Sequence, residues 1–319
     1  TRLVFEGRRA VGVAYLHKGR QQVVRAGAEI ILAGGSINSP QLLQLSGVGP
    51  AEVLKPLGID VLLHSPAVGQ NLQDHLGMDY TYRSRVPTLN QELGPWLGKA
   101  RVGLKYLLSR RGPLSLSINQ GGGFMRSRPG LTQANLQLYF SPVSYLRAPP
   151  GKRPMMSPDP YPGFLIGFSP CRPTSRGHLQ IRSDDPQAPP LIHPNYLDTE
   201  DDIENMLDGV RFIRTLAGTP AFSSVIEAEV QPGLQVQSRD ELLADIRARG
   251  WTVFHPVSTC RMGPDGRHAV VDHRLKVHGL DGLRVIDASV FPAVTSGNTN
   301  APTIMVAEKG ADMVLEDAV

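Results

Sequence analysis

Residues 283–315 read LRVIDASVFPAVTSGNTNAPTIMVAEKGADMVL, and this stretch decides the fold. It opens with a short apolar strand, Leu283 to Asp287, and continues into a polar loop at residues 295–300. The loop leads directly to Pro302, which can occupy the first turn of a helix because its missing N–H would have no partner there. The pattern predicts a helix from Thr303 to Leu315, so the loop delivers its side chains to a helix N-terminus.

Such a helix end carries partial positive charge and spare N–H donors, which suit an anionic group such as a phosphate or a reduced ring carbonyl. An ordinary capped helix is the competing interpretation. The same ambiguity applies to His255, which lies in a predicted turn between Phe254 and Pro256. It can be a packed, hydrogen-bonded side chain or a base that works near neutral pH.

The composition of the 319-residue chain is typical of a globular protein, with 41% hydrophobic and 19% charged residues. The net charge of +4 is small for this length, which argues against nucleic acid as a partner. No apolar run is long enough to form a transmembrane segment. Two cysteines, Cys171 and Cys260, provide no disulfide framework and favour a reducing compartment. The predicted location is the cytoplasm, with peripheral attachment at the inner membrane as an alternative.

The first 33 residues predict a β-meander. Its strands run from Thr1 to Phe5, Ala10 to Leu16, Gln21 to Arg25 and Glu29 to Leu32. The last of them continues as Ile30 to Ala33 and is apolar on both faces, as a strand inside a covered sheet should be. Gly34 and Gly35 follow it and allow a tight turn into a helix from Pro40 to Leu45. Ligands sit at such strand ends in nucleotide-binding sheets, although a glycine turn without a ligand fits equally well.

The middle of the chain predicts helices and an antiparallel sheet joined by long loops. Gly121 to Gly123 is predicted as a flexible turn, and the proline-rich loop from Arg147 to Pro162 as a lid or an ordinary surface loop. The predicted helices are Ala51 to Leu57, Leu89 to Arg111, Ile203 to Leu216 and Asp240 to Ala248, and the predicted strands are Asp60 to Leu63, Asn135 to Phe140, Gly163 to Phe168 and His178 to Arg182.

Three histidines, His268, His273 and His278, recur every five residues. This interval fits neither the same face of a helix nor the usual zinc spacings, so no metal site is predicted. Asp74 and His75 are neighbours in sequence, and neighbouring side chains usually point apart, so a catalytic pair is not predicted there either.

Several segments resemble, in the family's order, the signatures of the glucose-methanol-choline (GMC) oxidoreductases. The matching segments are residues 35–49 (GSINSPQLLQLSGVG), 66–75 (PAVGQNLQDH), 255–259 (HPVST), 272–292 (DHRLKVHGLDGLRVIDASVFP) and 297–312 (GNTNAPTIMVAEKGAD). The resemblance covers both ends of the chain well and the middle more loosely. It implies a mixed α/β fold, with an incomplete FAD-binding Rossmann-like domain and an antiparallel-sheet substrate domain with flanking helices. The implied domains are residues 1–78, 79–250 and 251–319, the last returning to the FAD-binding domain with the catalytic histidine.

The resemblance also implies an FAD-dependent activity on a small-molecule alcohol. His255 would accept the hydroxyl proton of a primary alcohol while hydride passes to flavin N5, and Asn298 would hold the substrate oxygen. The residues that would contact FAD are Asp287, Ala288, Asn298, Thr299, Asn300 and Pro302. Asp74 and His75 would have a structural role near the cofactor. Ser258 departs from the family, because many members have glycine there, and this puts the pocket shape in doubt.

No GxGxxG turn between a strand and a helix is found, although a flavin enzyme of this kind should carry one. In the family this fingerprint lies near the N-terminus, and the sequence begins with Thr1. We therefore expect the chain to be the C-terminal part, a little over half, of a longer enzyme. Three interpretations compete: a choline dehydrogenase-type alcohol dehydrogenase that passes electrons to a quinone, another carrier or oxygen; a hydroxynitrile lyase; and an inactive fragment unable to hold FAD. The first is favoured for the encoded function and the third for the isolated chain.

Overall fold

A computed structural model describes residues 1–145 and 157–318. Within these residues the chain forms two compact units. Unit 1 comprises Thr1–His75, Arg172–Thr199 and the chain from Phe254 onward, and unit 2 comprises Leu76–Cys171 and Glu200–Val253. Residues 172–199 thus pack with unit 1, whereas the sequence places them in a domain spanning residues 79–250. The three predicted functional domains remain predictions.

Short strands and a few longer helices build both units, which confirms the mixed α/β class. The strands are β1 Arg2–Glu6, β2 Arg9–His17, β3 Arg20–Arg25, β4 Ile30–Leu32, β5 Val48–Gly49, β6 Leu63–His64, β7 Gln70–Leu72, β8 Leu76–Ser84, β9 Gly121–Met125, β10 Leu136–Ser141, β11 Gly163–Pro170, β12 Gly177–Gln180, β13 Leu191–His193, β14 Ile226–Gln231, β15 Trp251–Thr252 and β16 Leu283–Val285. The α-helices are α1 Gly35–Leu45, α2 Ala51–Leu54, α3 Leu89–Leu93, α4 Trp96–Ser109, α5 Glu200–Ala217, α6 Pro220–Ser223, α7 Arg239–Arg249 and α8 Asn300–Asp317.

In unit 1 the first three strands form the predicted antiparallel meander, but β4 leaves it. Strand β4 pairs in parallel with β16, and Ile30 lies opposite Leu283. Ile30 and Leu32 are buried, whereas 45% of Ile31 is exposed, so the prediction that both faces of β4 are covered is wrong within the described residues. Helix α1 follows β4 directly and begins at Gly35, five residues before the predicted start at Pro40. Gly35 takes φ +76°, a left-handed conformation that glycine adopts readily.

The predicted strand from His178 to Arg182 is also placed differently. Strand β12 belongs to a small antiparallel sheet with β7 and β13, within unit 1. The core of the unit is apolar and joins side chains from β4, α1, β16 and α8, including Leu32, Leu43, Val285 and Val306. The final stretch of the chain is therefore held against its first fifty residues.

In unit 2 a six-stranded antiparallel sheet has the order β14-β8-β11-β10-β9, with β15 also paired to β8. Gly121 to Gly123 form part of edge strand β9 rather than the predicted turn. The glycines permit a close approach, since a Cβ on Gly122 would lie 2.3 Å from the carbonyl oxygen of Leu138. Of the predicted loop, residues 147–156 lie outside the described part of the chain.

Two helices of unit 2, α5 and α7, match local patterns in the sequence. Helix α5 buries an apolar stripe at helical spacing, which consists of Ile203, Met206, Leu207, Val210 and Ile213. Helix α7 begins with a capping box in which Ser238 and Glu241 each accept from the other's backbone N–H. The predicted helix from Leu89 to Arg111 is divided into α3 and α4 at Gly94 and Pro95, where Pro95 takes an extended conformation with ψ 145°. Proline has no N–H to continue the hydrogen bonds of α3, and it precedes the first turn of α4.

Helix α5 packs on strand β11 at Gly209, and this contact yields a test of the packing. A Cβ on Gly209 would lie 2.1 Å from the ring of Phe168, which is fully buried. We expect Gly209→Ala to lower the free energy of unfolding by about 1–3 kcal/mol, because the ring has no space to move into. Gly103→Ala in α4 is the control, since its Cβ meets nothing within 4 Å and alanine favours the helix by about 0.5–1 kcal/mol. Urea unfolding of both variants measures the two changes, and equal effects would contradict the packing described.

Candidate active site

His255 lies in a strained turn of unit 1. The residue before it, Phe254, has φ +60°, and Ser258 has φ +76°, so two non-glycine residues take left-handed conformations close to the histidine. Each such residue typically costs about 1–3 kcal/mol and persists only where its surroundings hold it. Gln73 holds the turn from the side: it exchanges backbone hydrogen bonds with Val257, and its Nε2 donates to the Ser258 hydroxyl at 3.2 Å. The departure from glycine at Ser258 therefore supplies a buried hydrogen bond.

The Asp74 carboxylate anchors the backbone of His255. Its Oδ1 accepts hydrogen bonds from the backbone N–H of His255 at 2.8 Å and of His75 at 2.9 Å. Its Oδ2 accepts from the hydroxyl of Tyr196 at 2.5 Å. Asp74 and both histidines are buried, so these three hydrogen bonds compensate for burying the carboxylate. One carboxylate thus fixes two histidines that lie 180 residues apart.

The two imidazoles contact each other directly. Nδ1 of His75 lies 2.9 Å from Nδ1 of His255, and the rings meet edge to face. On its other side, Nε2 of His255 lies 3.3 Å from Nδ2 of Asn298. An amide nitrogen can only donate, so His255 Nε2 accepts and carries no proton in this arrangement. The proton of neutral His255 is then on Nδ1 and is donated to Nδ1 of His75.

The surroundings of His255 favour its neutral form. Burial lowers its pKa from the ordinary value of 6.5, the neighbouring His75 lowers it further, and the Asp74 carboxylate opposes both effects. The net direction is downward, so the imidazole is neutral at pH 7. A neutral imidazole with an unprotonated Nε2, beside an amide, can accept a proton from a hydroxyl group.

Asp287 lies two residues after strand β16, and its carboxylate is at the N-terminus of α1. Its Oδ2 accepts from the Gly35 N–H at 2.9 Å and from the Ser39 hydroxyl at 2.6 Å, and its Oδ1 accepts from the Ser289 N–H at 2.8 Å. A carboxylate at the positive end of a helix is favourable. The N-terminus of α1, where the sequence left open a ligand at the Gly34-Gly35 turn, is therefore occupied by the protein's own side chain.

The N-terminus of α8 offers a different environment. Its N-cap residue, Thr299, makes no side-chain capping bond, and the first turn carries no acidic residue. Asn300 is exposed and Pro302 is partly exposed. Among the described residues, neither the Asp287 nor the Ala288 N–H finds a hydrogen-bond acceptor. These donors and the helix end fit an anionic or electron-rich group of a cofactor.

The histidine turn and these donors are neighbours. The Ser258 N–H donates to the Ala288 carbonyl at 3.3 Å, and the Val294 N–H donates to Oε1 of Gln73 at 3.1 Å. The structure therefore brings His255 and Asn298 into contact and places Asp287, Ala288 and the start of α8 around the same turn. All of these residues belong to unit 1.

Sequence reasoning missed several members of this cluster. Tyr196, Ser39 and Gln73 were assigned no role, and His75 was expected to be only structural. Position in sequence gave no signal for Tyr196, whereas Ser39 lies in the segment 35–49 that resembles a family signature. A signal did exist for Gln73 and His75, because both flank Asp74 in the segment that resembles a family signature.

The described residues contain neither a candidate metal site nor a helix that could span a membrane. Within residues 1–145 and 157–318, no group of three or more His, Cys, Asp or Glu side chains could hold a metal ion. Over the same ranges, none of the helices combines the length and the apolar character needed to cross a bilayer.

A glycine turn between a parallel strand and a helix, beside a buried base, is typical of α/β oxidoreductases that use a nucleotide cofactor. The family comparison is specific. Two family models, both described as GMC oxidoreductase, match residues 1–77 and 173–307, together more than half of the chain. The chain belongs to the GMC oxidoreductase family, which confirms the resemblance seen in its sequence.

Relatives of known name agree with this assignment. The chain is 43% identical over 316 residues to the mitochondrial choline dehydrogenase of Mus musculus, covering 98% of this chain and 52% of the relative. It is 41% identical over 318 residues to an alcohol dehydrogenase [acceptor] of Pseudomonas putida, covering 99% of this chain and 56% of the relative. The chain spans about half the length of the curated relatives it matches.

Solved structures show the same fold. A formate oxidase of Aspergillus oryzae, studied for the modification of its FAD, is similar with a TM-score of 0.89 at 28% identity, over 99% of this chain and 59% of that one. Pyridoxine 4-oxidase from Mesorbium loti is similar with a TM-score of 0.81 at 28% identity, over 98% of this chain and 56% of that one.

The Asp287 contacts predict a measurable loss of stability. Asp287→Asn keeps the side-chain shape but replaces one accepting oxygen by an amide that cannot accept. We expect the free energy of unfolding to fall by about 2 kcal/mol, because hydrogen bonds to a buried carboxylate are lost. Asp312→Asn is the control, since that carboxylate is 61% exposed and contacts only Lys309 at 3.4 Å. Denaturant unfolding that gives the same small change for both variants would contradict the role assigned to Asp287.

Proposed function

We propose that this chain carries the proton-accepting and flavin-contacting part of an FAD-dependent oxidoreductase that oxidises a primary alcohol to an aldehyde. The observation that carries the proposal is the pair of contacts that Asn298 Nδ2 makes with His255 Nε2 at 3.3 Å and His75 Nδ1 makes with His255 Nδ1 at 2.9 Å. We infer from the amide donor that His255 Nε2 is unprotonated. The family assignment and the FAD of the formate oxidase relative support the choice of cofactor. The electron acceptor of the proposed enzyme is a quinone, another carrier or oxygen.

The residues present fit the cofactor. The N–H groups of Asp287 and Ala288 would hold its pyrophosphate, and Thr299, Asn300 and Pro302 at the start of α8 would face its flavin ring. Asn298 would contact the cofactor and hydrogen-bond the substrate oxygen. When bound, FAD supplies a two-electron acceptor for the hydride of the alcohol carbon.

The protein's own part of the chemistry is proton transfer and positioning. His255 accepts the alcohol proton at Nε2, and its Nδ1–H remains donated to His75. The positive charge that forms is stabilised by the nearby Asp74 carboxylate, whose attraction favours protonated His255. Asn298 donates to the substrate oxygen in place of Nε2 and keeps the alcohol in line for transfer. His75 is a positioning residue, because it sets which nitrogen of His255 is free.

The proposal is tested with the visible spectrum of a protein in which this chain is joined to an N-terminal region of a family member that carries the glycine fingerprint. We expect this protein to bind FAD and to be bleached by a primary alcohol under anaerobic conditions. Bound flavin that no alcohol reduces would overturn the proposed oxidation and favour a lyase. FAD binding by the 319-residue chain alone would overturn the expectation that the isolated chain cannot hold it.

The role of His255 predicts a large kinetic effect in the same flavoprotein. His255→Ala should slow flavin reduction by roughly 10²-fold or more, as expected for the loss of a general base. His268→Ala serves as the control, because that side chain is 71% exposed and its imidazole pairs with Asp265 at 3.2 Å, outside the His255 cluster. Stopped-flow reduction by the alcohol measures both rates. Reduction of His255→Ala at a near-normal rate would remove this residue from the mechanism.

The role of His75 predicts a change in pH dependence. Protonation of His255 inactivates the base, so flavin reduction should fall as the pH drops through its lowered pKa. His75 lowers that pKa, so in His75→Ala the acid limb should move to higher pH, while Asp74 and Tyr196 stay in place. His193→Ala is the control. This histidine lies outside the His255 cluster, and its ring stacks on that of His178 with the centroids 4.7 Å apart. A slower reaction with an unchanged pH profile would mean that His75 is only structural.

A further inference from the structure

Helix α4 of unit 2 presents apolar side chains to solvent. Val102 is the one buried residue of its 14. The large apolar residues that are exposed are Trp96 at 74%, Leu97 at 64%, Leu104 at 57%, Leu107 at 68% and Leu108 at 79%. A surface helix of a globular protein normally buries such residues and exposes polar ones.

These five residues lie on one face of the helix. With 3.6 residues per turn, they fall within an arc of about 120° whose centre is opposite Val102. Ala100 lies in the same arc. Beyond the helix, Leu114 and Leu116 are 54% and 60% exposed and line an apolar cavity of about 350 Å³ together with Leu93 and Lys99. The five exposed side chains on one face of α4 are therefore more than an isolated exposed residue, and a second apolar surface lies close to the helix at Lys99.

Basic residues border the apolar face. Arg101 and Lys105 flank it on one side and Lys99 on the other, and Arg110 and Arg111 follow the helix directly. None of the five forms an ion pair with a described residue. The whole segment between Glu92 and Asp159 contains ten Lys or Arg and no Asp or Glu. The small net charge of the chain, +4, hides this local excess.

We propose that α4 docks on an anionic lipid bilayer, with its apolar face in the boundary between headgroups and acyl chains and its basic residues at the lipid phosphates. An apolar face with Trp and Leu, bordered by Lys and Arg, is what such helices require. The helix is about 21 Å long and lies in the plane of the membrane, because it is too short to span one.

Charge argues against a second copy of the chain as the occupant. In a symmetric contact through this face, the same basic border would meet itself, and like charges at an interface are repulsive. An acidic protein would neutralise the basic residues at the border, but the central apolar arc also requires an apolar environment. A bilayer with anionic headgroups supplies both.

The test is sedimentation of the full 319-residue chain with phospholipid vesicles. We expect it to bind vesicles of mixed phosphatidylcholine and phosphatidylglycerol, to bind pure phosphatidylcholine weakly, and to be released by salt. Leu107→Gln with Leu108→Gln should lower partitioning about tenfold or more, and so should Arg101→Gln with Lys105→Gln. The matched control is Leu234→Gln with Leu315→Gln, at residues 62% and 68% exposed outside α4, and it should bind like the unchanged chain.

Tryptophan fluorescence provides a second, local measurement. The sequence has two tryptophans, and Trp96 on α4 is 74% exposed, so a blue shift on adding anionic vesicles is expected from Trp96 and should be absent in Trp96→Phe.

Four results would overturn the proposal. The first is no binding to anionic vesicles, and the second is equal binding by the α4 variants and the control. The third is a dimer in solution that the Leu107 and Leu108 changes dissociate, which would make the face a contact between copies. Capture of an acidic protein without vesicle binding would likewise replace the membrane by a protein partner.

Discussion

The carboxylate of Asp287 is the contact on which the rest of unit 1 depends. It ties the end of β16 to the start of α1, between residues 252 positions apart, through the Gly35 N–H and the Ser39 hydroxyl. Burying a charge is unfavourable unless hydrogen bonds and a favourable field compensate it. Here three hydrogen bonds and the positive end of α1 do so. This contact supports the parallel pairing of β4 with β16, because Asp287 follows β16 and Gly35 follows β4, and the two residues are hydrogen-bonded to each other. The same contact closes the α1 N-terminus to other anions and leaves the α8 N-terminus open.

A second buried charge, Arg284 on strand β16, fixes the C-terminal end of α8. Arg284 is 1% exposed and donates to Glu29 at 2.8 Å, to the Arg274 carbonyl at 2.8 Å and to Asp317 at 2.5 Å. Hydrogen bonds from Lys276 and Arg284, and then from Arg274, lower the pKa of Asp317 far below its ordinary value. Asp317 therefore stays charged except in strong acid, and its contribution to stability is lost only as the pH falls into that range. Helix α8 is held at its last turn, so its first turn is kept beside the histidine turn.

Local pattern was sufficient for elements whose neighbours are close in sequence. The meander β1 to β3, the apolar stripe of α5 and the existence of α7 and α8 follow from periodicity and end signals. Helix α8 is predicted from Thr303 to Leu315 and extends over Asn300–Asp317. Pattern was insufficient wherever pairing between distant segments decides the structure. Strand β4 has an apolar sequence that fits several sheets, and its partner β16 lies 250 residues away. Gly121 to Gly123 have no propensity for a strand, and only the neighbouring β10 makes them one.

The candidate site likewise contains residues that the sequence revealed and residues that only the structure revealed. The resemblance to a family led to His255, Asn298 and the start of α8, and the structure brings them around one turn. The resemblance could not show that the side chains of His75 and His255 meet. Their rings come into contact because Asp74 binds the backbone N–H groups of both residues. Tyr196 lacks any motif, yet it donates to the same carboxylate. Polar networks of this kind are set by tertiary contacts, which a single sequence does not reveal.

The placement of the site within one unit has a mechanical consequence. Every hydrogen bond that orients His255, from Asp74 to Asn298, joins two residues of unit 1. A left-handed Phe254 that is 76% exposed and a left-handed, fully buried Ser258 are tolerated because Gln73 fixes the backbone between them. The orientation of the base is therefore a property of unit 1 itself. Sequence changes in unit 2, including those along α4, can alter what the protein binds without changing which nitrogen of His255 is free.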